Sequence, residues 1–231
     1  FWRELEKRLK LSIPTVMTEG DHVGQNIFGR ETRSTREGEV VSQRWNGVFG
    51  KEHALTVIGS TPGSDFTNEE IRVILLRSAG YSAGTYGVLG GSYQEKRWLP
   101  RMDMGKREFR LLLTAGPAKE RSERIERETA AFHQVPYTLP YCPDGQGIKP
   151  EPLLLIDKPG VVLSCVKKSE RENFTYILRV YESLGQETAF EMTVPVYGIR
   201  RAFFLKPFEI KTFRLTQRGL AECSLLEDLC D

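Results

Sequence analysis

Apolar and polar positions alternate most regularly between Pro159 and Leu215. In FTYILRVY, Phe174, Tyr176, Leu178 and Val180 take every second position, and Phe190, Met192 and Val194 do the same in AFEMTV. Each set therefore falls on one face of a pleated strand. Ser183, Leu184, Gly185 and Gln186 separate the two runs, with Gly185 available for a positive φ, so a hairpin and an antiparallel pair are expected. FEIKTFRL alternates through Phe208 and Ile210 and then changes phase to Phe213 and Leu215, the mark of a bulge or of a strand covered on both faces. Together these runs predict a short β-sandwich.

The same pattern recurs upstream. Leu9, Leu11 and Ile13 alternate with Arg8, Lys10 and Ser12 in a predicted half-buried strand. GDHVGQNIFGRETRSTREGEV is rich in glycine and charge and reads as loop with at most one short strand. EVVSQRW, HALTVIG and IRVILLR read as strands, the last two separated by the turn-rich STPGSDFTNE. IRVILLR has so few polar positions that it belongs inside a sheet. Residues 80 to 103 lack periodicity and read as a long surface loop. Phe109, Leu111 and Leu113 alternate once more. From Pro117 to His133 the period becomes helical: Pro117 suits a first turn, Glu120/Arg124 and Glu123/Arg127 are i,i+4 pairs, and Ser122, Ile125, Thr129 and Phe132 share a face. Five prolines between Pro136 and Pro152 mark a linker. The expected domains are residues 1–150, an N-terminally incomplete central β-sandwich, and 151–231, a C-terminal β-sandwich.

Composition narrows the function. Thirty-three basic against 31 acidic residues leave a formal charge of +2, which gives no field to attract nucleic acid or an anionic membrane. No apolar run reaches the roughly 20 residues that span a bilayer. The four cysteines (Cys142, Cys165, Cys223, Cys230) lack CxxC spacing and fit a reduced, cytoplasmic protein; spacing alone does not establish a Cys223–Cys230 disulfide. The opening Phe1-Trp2-Arg3-Glu4 carries neither an initiator Met nor a signal pattern, and a piece of a longer protein is expected.

Several blocks in order resemble glycoside hydrolase family 38, the class II α-mannosidases. They are Val162 to Glu170 (VLSxxKKxE), Ile177 to Gly185 (xILRxYExxG) and Pro207 to Leu215 (PFEIKTFRL) near the C-terminus. WRELEKRLKLSIP and the passage from Glu39 to Ala79 resemble the family's central β-domain, with Ala79 where proline is frequent. Asp103 and Gly105 match a further segment in which Arg107 replaces the family's histidine. The resemblance implies an all-β chain: the later part of a large, galactose-mutarotase-like β-sandwich, a small C-terminal β-sandwich and one surface helix. It implies a retaining hydrolase of terminal α-mannosyl linkages, active in mannose metabolism. The catalytic acids and a divalent metal, zinc or calcium, would reside in an N-terminal catalytic domain that these residues brace. This chain by itself would then be inactive, with an α-mannoside bound only through the intact enzyme and homo-oligomers as a possible assembly. A free-standing carbohydrate-binding β-sandwich module is the alternative, and a relative acting on mannosylglycerate or another α-mannoside is a third.

The residues agree with a non-catalytic role. A retaining glycosidase needs two carboxyls about 5 to 5.5 Å apart, and no acidic pair stands out from the charge-alternating stretches. His22, His53 and His133 lack ligand spacing, so no metal is expected on this chain; Leu89 to Ser92 is no phosphate loop, and no GxSxG elbow occurs. No catalytic residue is assigned. Arg77, closing IRVILLR, and Asp103, closing the long loop, are the candidate substrate-binding residues, since one donates and the other accepts hydrogen bonds to hydroxyls. Trp45 and Trp98 are the aromatic candidates for stacking on a sugar ring, although the strand position of Trp45 favours the core.

Overall fold

The computed structural model describes residues 1–33, 38–61, 63–67, 69–80, 100–138 and 151–228. Its residues form two compact units, 1–24 with 32–115 and 25–31 with 116–231. Among the described residues the chain is an all-β protein with a single α-helix, built of four antiparallel sheets, none closed into a barrel.

The first unit holds β1 (Arg8–Pro14), β4 (Val40–Val41), β5 (Trp45–Phe49), β6 (His53–Ile58), β7 (Gly63–Thr67) and β8 (Glu70–Arg77). β2 (Asp21–Asn26), β3 (Gly29–Arg33) and β9 (Leu112–Pro117) have residues in both units. One sheet runs β1-β8-β7-β4 and the other β3-β2-β5-β6-β9. Val48, Phe66 and Ile71 are buried together, with Ile13, Met17 and Leu55 against them, so apolar faces of the two sheets close on each other. β8 lies between β1 and β7, and Ile71, Val73 and Leu76 are buried, as its nearly unbroken apolar sequence requires.

Three strands lie where the sequence reads as loop or turn, and the expected strand EVVSQRW is divided between the two-residue β4 and the first residue of β5. GDHVGQNIFGRETR contains two strands, β2 and β3, and the turn-rich STPGSDFTNE contains β7. They bury polar side chains on both faces: His22 and Ser64 meet inside the first unit, while Asp65, next to Ser64, takes the opposite face of β7. Burial runs unbroken from His22 to Gln25 in β2 and from Gly63 to Phe66 in β7, so these strands carry no period of two for hydrophobicity to follow. Conversely, Phe109 and Leu111 precede β9, which begins only at Leu112.

The second unit carries α1 (Ala118–His133), then β10 (Leu155–Ile156), β11 (Val161–Lys168), β12 (Tyr176–Glu182), β13 (Thr188–Val194), β14 (Ile199–Leu205), β15 (Ile210–Thr216) and β16 (Gly219–Cys223). Sheets β10-β13-β14 and β11-β12-β15-β16 enclose Leu178, Val180, Phe190, Met192, Val194, Leu205, Phe213 and Leu215. These are the faces expected from the period of two, with two exceptions. Phe174 precedes β12 at φ +58° and is 93% exposed, and Phe208 sits in the turn before β15 at φ +57°. No bulge accompanies the phase change: β15 pairs with β12 and β16 without a shift, which leaves Ile210 on the face opposite Phe213 and Leu215. The irregularities lie instead at Leu9/Lys10 in β1 and between Leu163 and Cys165 in β11.

The hairpin expected at Ser183–Gln186 does not form. β12 and β13 belong to different sheets, so this turn crosses the sandwich; the neighbours that pair in sequence order are β11 with β12, β13 with β14 and β15 with β16. Alternation records which face a residue takes and says nothing of the partner strand. β12 is the strand covered on both faces, since Ile177 and Tyr181 are buried opposite Leu178 and Val180.

The helix forms as its sequence predicts. Pro117 stands immediately before it, Ile125 and Thr129 are buried, and Arg124 donates to Glu120 at 2.8 Å. Arg127 turns away from Glu123 and donates to the carbonyls of Lys158, at 2.8 Å, and Ile156. Of the expected linker and domain boundary, residues 139–150 lie outside the described residues, as do Trp98, Cys142, Cys230, Leu89 to Ser92 and most of the expected long loop.

Candidate functional site

β8 ends at Arg77, and the chain returns beside it at residues 101–105. The Arg77 backbone N–H donates to Oδ2 of Asp103 at 3.1 Å, and Arg107 lies 3.9 Å from the other carboxylate oxygen. The two residues chosen from sequence thus meet, through the backbone of one and the side chain of the other. Asp103 has φ +52°, a left-handed conformation that aspartate tolerates better than most residues. Around this corner Trp2 and Gly105 exchange both backbone hydrogen bonds, Arg101 pairs with Glu6 at 2.7 Å, and buried Ser78 holds Lys7 through backbone and hydroxyl. Arg77 is exposed, and among the described residues its guanidinium has no partner. The corner therefore offers an anchored carboxylate and an exposed guanidinium, groups that accept from and donate to sugar hydroxyls.

The other polar groups of the first unit serve the fold. His22 is buried with Nε2 2.8 Å from Oγ of Ser64; that hydroxyl donates to Oδ1 of Asn46 at 2.7 Å, and Asn46 donates to Thr61. Because the single hydroxyl hydrogen of Ser64 is committed to Asn46, His22 carries its proton on Nε2 and donates it to Ser64. Among the described residues Nδ1 is buried without a partner. Burial lowers the His22 pKa to about 4; Asp65 opposes the shift and Arg33 adds to it. Ser64 is thus not activated by His22, and the pair is no nucleophilic dyad.

Asp65 lies beneath a charged lattice on the β1-β8-β7-β4 sheet, accepting from Lys10 and Arg72 at 2.5 Å each, while Glu39 pairs with Lys10 and Arg8. Burial pushes its carboxyl up, but the hydrogen bonds and charges of Lys10 and Arg72 outweigh this and hold it below the usual value.

In the second unit, the fully buried Glu182 carboxylate accepts from four backbone N–H groups: Leu184 and Gly185 at 2.7 Å, Phe208 at 3.1 Å and Gln186 at 3.2 Å. Glu182 and Gly185 both stand in the xILRxYExxG block, where the spacing brings a carboxylate under a turn that ends at φ +77°. Sequence reasoning missed this role. Arg30 donates to the Ser183 carbonyl and to the carbonyl and hydroxyl of Ser122, all within 2.9 Å. Burial lowers the Arg30 pKa, with Glu126, Glu182 and Tyr181 opposing.

Trp45 is fully buried, edge-on to Phe49, and so takes the core position rather than a sugar platform. Among the described residues no group of three or more His, Cys, Asp and Glu side chains is arranged to hold a metal ion. No helix of the described residues is long and apolar enough to cross a membrane.

No protein-family model matches the chain, and no curated protein does. Solved structures do. An alpha-mannosidase from Enterococcus faecalis V583 superposes over 90% of this chain with a TM-score of 0.66 and 19% identity. A protein in the Glycosyl Hydrolase Family 38 from Enterococcus faecalis gives the same coverage and TM-score at 18% identity. This chain spans 26% of each of those chains. The likeness is one of fold: these β-sheets have the architecture of about a quarter of a glycoside hydrolase family 38 structure.

Proposed function

We propose that this chain is the C-terminal, non-catalytic portion of an α-mannosidase-like glycoside hydrolase that cleaves terminal α-mannosyl linkages with retention. The observation that carries the reading is the shared fold over 90% of the chain with a family 38 alpha-mannosidase more than three times its length. Its own polar groups agree with a bracing role. Glu182 is consumed by backbone donors and Asp65 by two cations, while Asp103 is bonded to the end of β8. In this reading the reactive carboxylates and the divalent metal belong to an N-terminal catalytic domain in the same protein, which works in the cytoplasm. Arg77 and Asp103 line the edge of the substrate pocket, with the Arg77 guanidinium donating to a hydroxyl of the mannoside.

Purified residues 1–231 are expected to leave an aryl α-mannoside unhydrolysed, whereas the protein extended through its catalytic domain hydrolyses it. Turnover by residues 1–231 alone overturns the reading. In the extended protein, Arg77→Ala should raise KM by about tenfold, the worth of one hydrogen bond to a charged donor, with a smaller change in kcat.

A further inference from the structure

Two arginines of the second unit are spent on nothing. Among the described residues the guanidinium groups of Arg201 and Arg218 make no hydrogen bond or ion pair, and both line one cleft of about 500 Å³ between β14 and β16, the edge strands of the two sheets. The register of β14 accounts for the first. Ile199 and Phe203 pack on the core and Leu205 is buried, so Arg201 occupies an inward position of the same row, at the edge where the sandwich is open. Arg218 stands in the β15–β16 turn with its backbone N–H on the Thr216 hydroxyl.

The floor is apolar and packed on the core. Phe203 is held by ring contacts with Phe190 at 5.9 Å and Phe213 at 4.5 Å, and Leu220 is buried beside it. The remaining charges are already matched: Arg214 pairs with Glu172, and Glu222 with Lys211 at 3.0 Å. An inward charge on an edge strand discourages pairing with another sheet, which explains Arg201 alone. It does not explain a second unpaired guanidinium over the same apolar floor.

We propose that this cleft binds a small organic phosphate, its dianion held by Arg201 and Arg218 and its apolar body laid on Phe203 and Leu220. Two guanidinium forks match a group that carries about −1.5 to −2 charge at pH 7 and accepts bidentate hydrogen bonds. The proposal is independent of the glycosidase reading, because it uses no residue of the Arg77–Asp103 corner.

Phenyl phosphate is the probe, titrated into ¹⁵N-labelled residues 1–231 beside inorganic phosphate and phenol. The expected result is saturable amide shifts centred on Arg201, Phe203, Arg218 and Leu220, with each of the other two probes at least about tenfold weaker. The Arg201→Gln/Arg218→Gln variant should lose about tenfold or more in affinity with its thermal midpoint kept, and Arg77→Gln, which frees no charge in the cleft, should bind normally. Ala221→Glu, setting a carboxylate at an exposed position of β16 in the cleft lining, should weaken binding without touching either arginine. No saturation by about 10 mM, equal binding of inorganic phosphate or phenol, or full affinity in the double variant overturns the proposal.

Discussion

His22 links burial to acid sensitivity through one ring nitrogen. Its Nε2 proton goes to Ser64, so a second proton must settle on the buried, unpartnered Nδ1, and the folded pKa falls to about 4. The unfolded chain takes up that proton near the ordinary value of 6.5. Between these limits the unfolded state binds more protons, so stability falls as pH is lowered from 6.5 to 4, by roughly 3 kcal/mol in all. Urea midpoints measured from pH 7.5 to 4.5 should show this slope, and His22→Gln, which keeps a donor for Ser64, should flatten it. Asp65 acts in a lower window: its stabilising contribution is complete above 3.8 and is lost as pH falls through its depressed folded pKa. Glu182 is the costliest single truncation. Glu182→Ala leaves four backbone donors of a half-buried turn without their acceptor, and a loss of about 3–5 kcal/mol is expected from chemical denaturation, against roughly 1–3 for Glu182→Gln, which keeps an acceptor.

Elements differ in how much of themselves the sequence displays. The inward faces of β8, β12, β13 and α1 were legible because their residues are apolar at the period of the element, as Ile71, Leu178, Met192 and Ile125 show. β2 and β7 were not, because His22, Ser64 and Asp65 satisfy one another or their neighbours inside the first unit, and buried polarity reads as loop. The crossing turn after β12 was misread as a hairpin for a different reason: its glycine was found, but the carboxylate that folds the turn acts from three residues upstream. Gly185 and Gly198 separate backbone strain from crowding. Both have positive φ, but a Cβ at Gly185 would meet the Phe208 ring at 2.7 Å, whereas one at Gly198 meets nothing within 4 Å. Thermal melts should therefore place Gly198→Ala about 1 kcal/mol below the parent and Gly185→Ala about 2–3. On the helix, Ile125→Ala should cost about 3 kcal/mol and Arg124→Ala under about 0.5, since one residue is buried and the other is an exposed ion pair.

For the whole molecule, the sequence revealed the fold class and two residues that meet, but little of what they do. Arg77 and Asp103 lie 26 positions apart, and only the return of the chain beside β8 joins them. The cleft between β14 and β16 was illegible because an arginine in an inward register looks like any other arginine in a strand. Metal independence is expected of these residues, and EDTA should leave the thermal midpoint of residues 1–231 within about 1 °C, far less than the loss of a structural metal would cause. The second unit also has a history written into its make-up. It includes residues 25–31, and Arg30 bonds to Ser183, 153 positions later. At about 5–20 residues per second, a ribosome that has made Arg30 needs roughly 8–30 s more to deliver its acceptor. For that interval the nascent chain carries an arginine whose destination has not been translated, and this unit can be finished only after synthesis has passed β12.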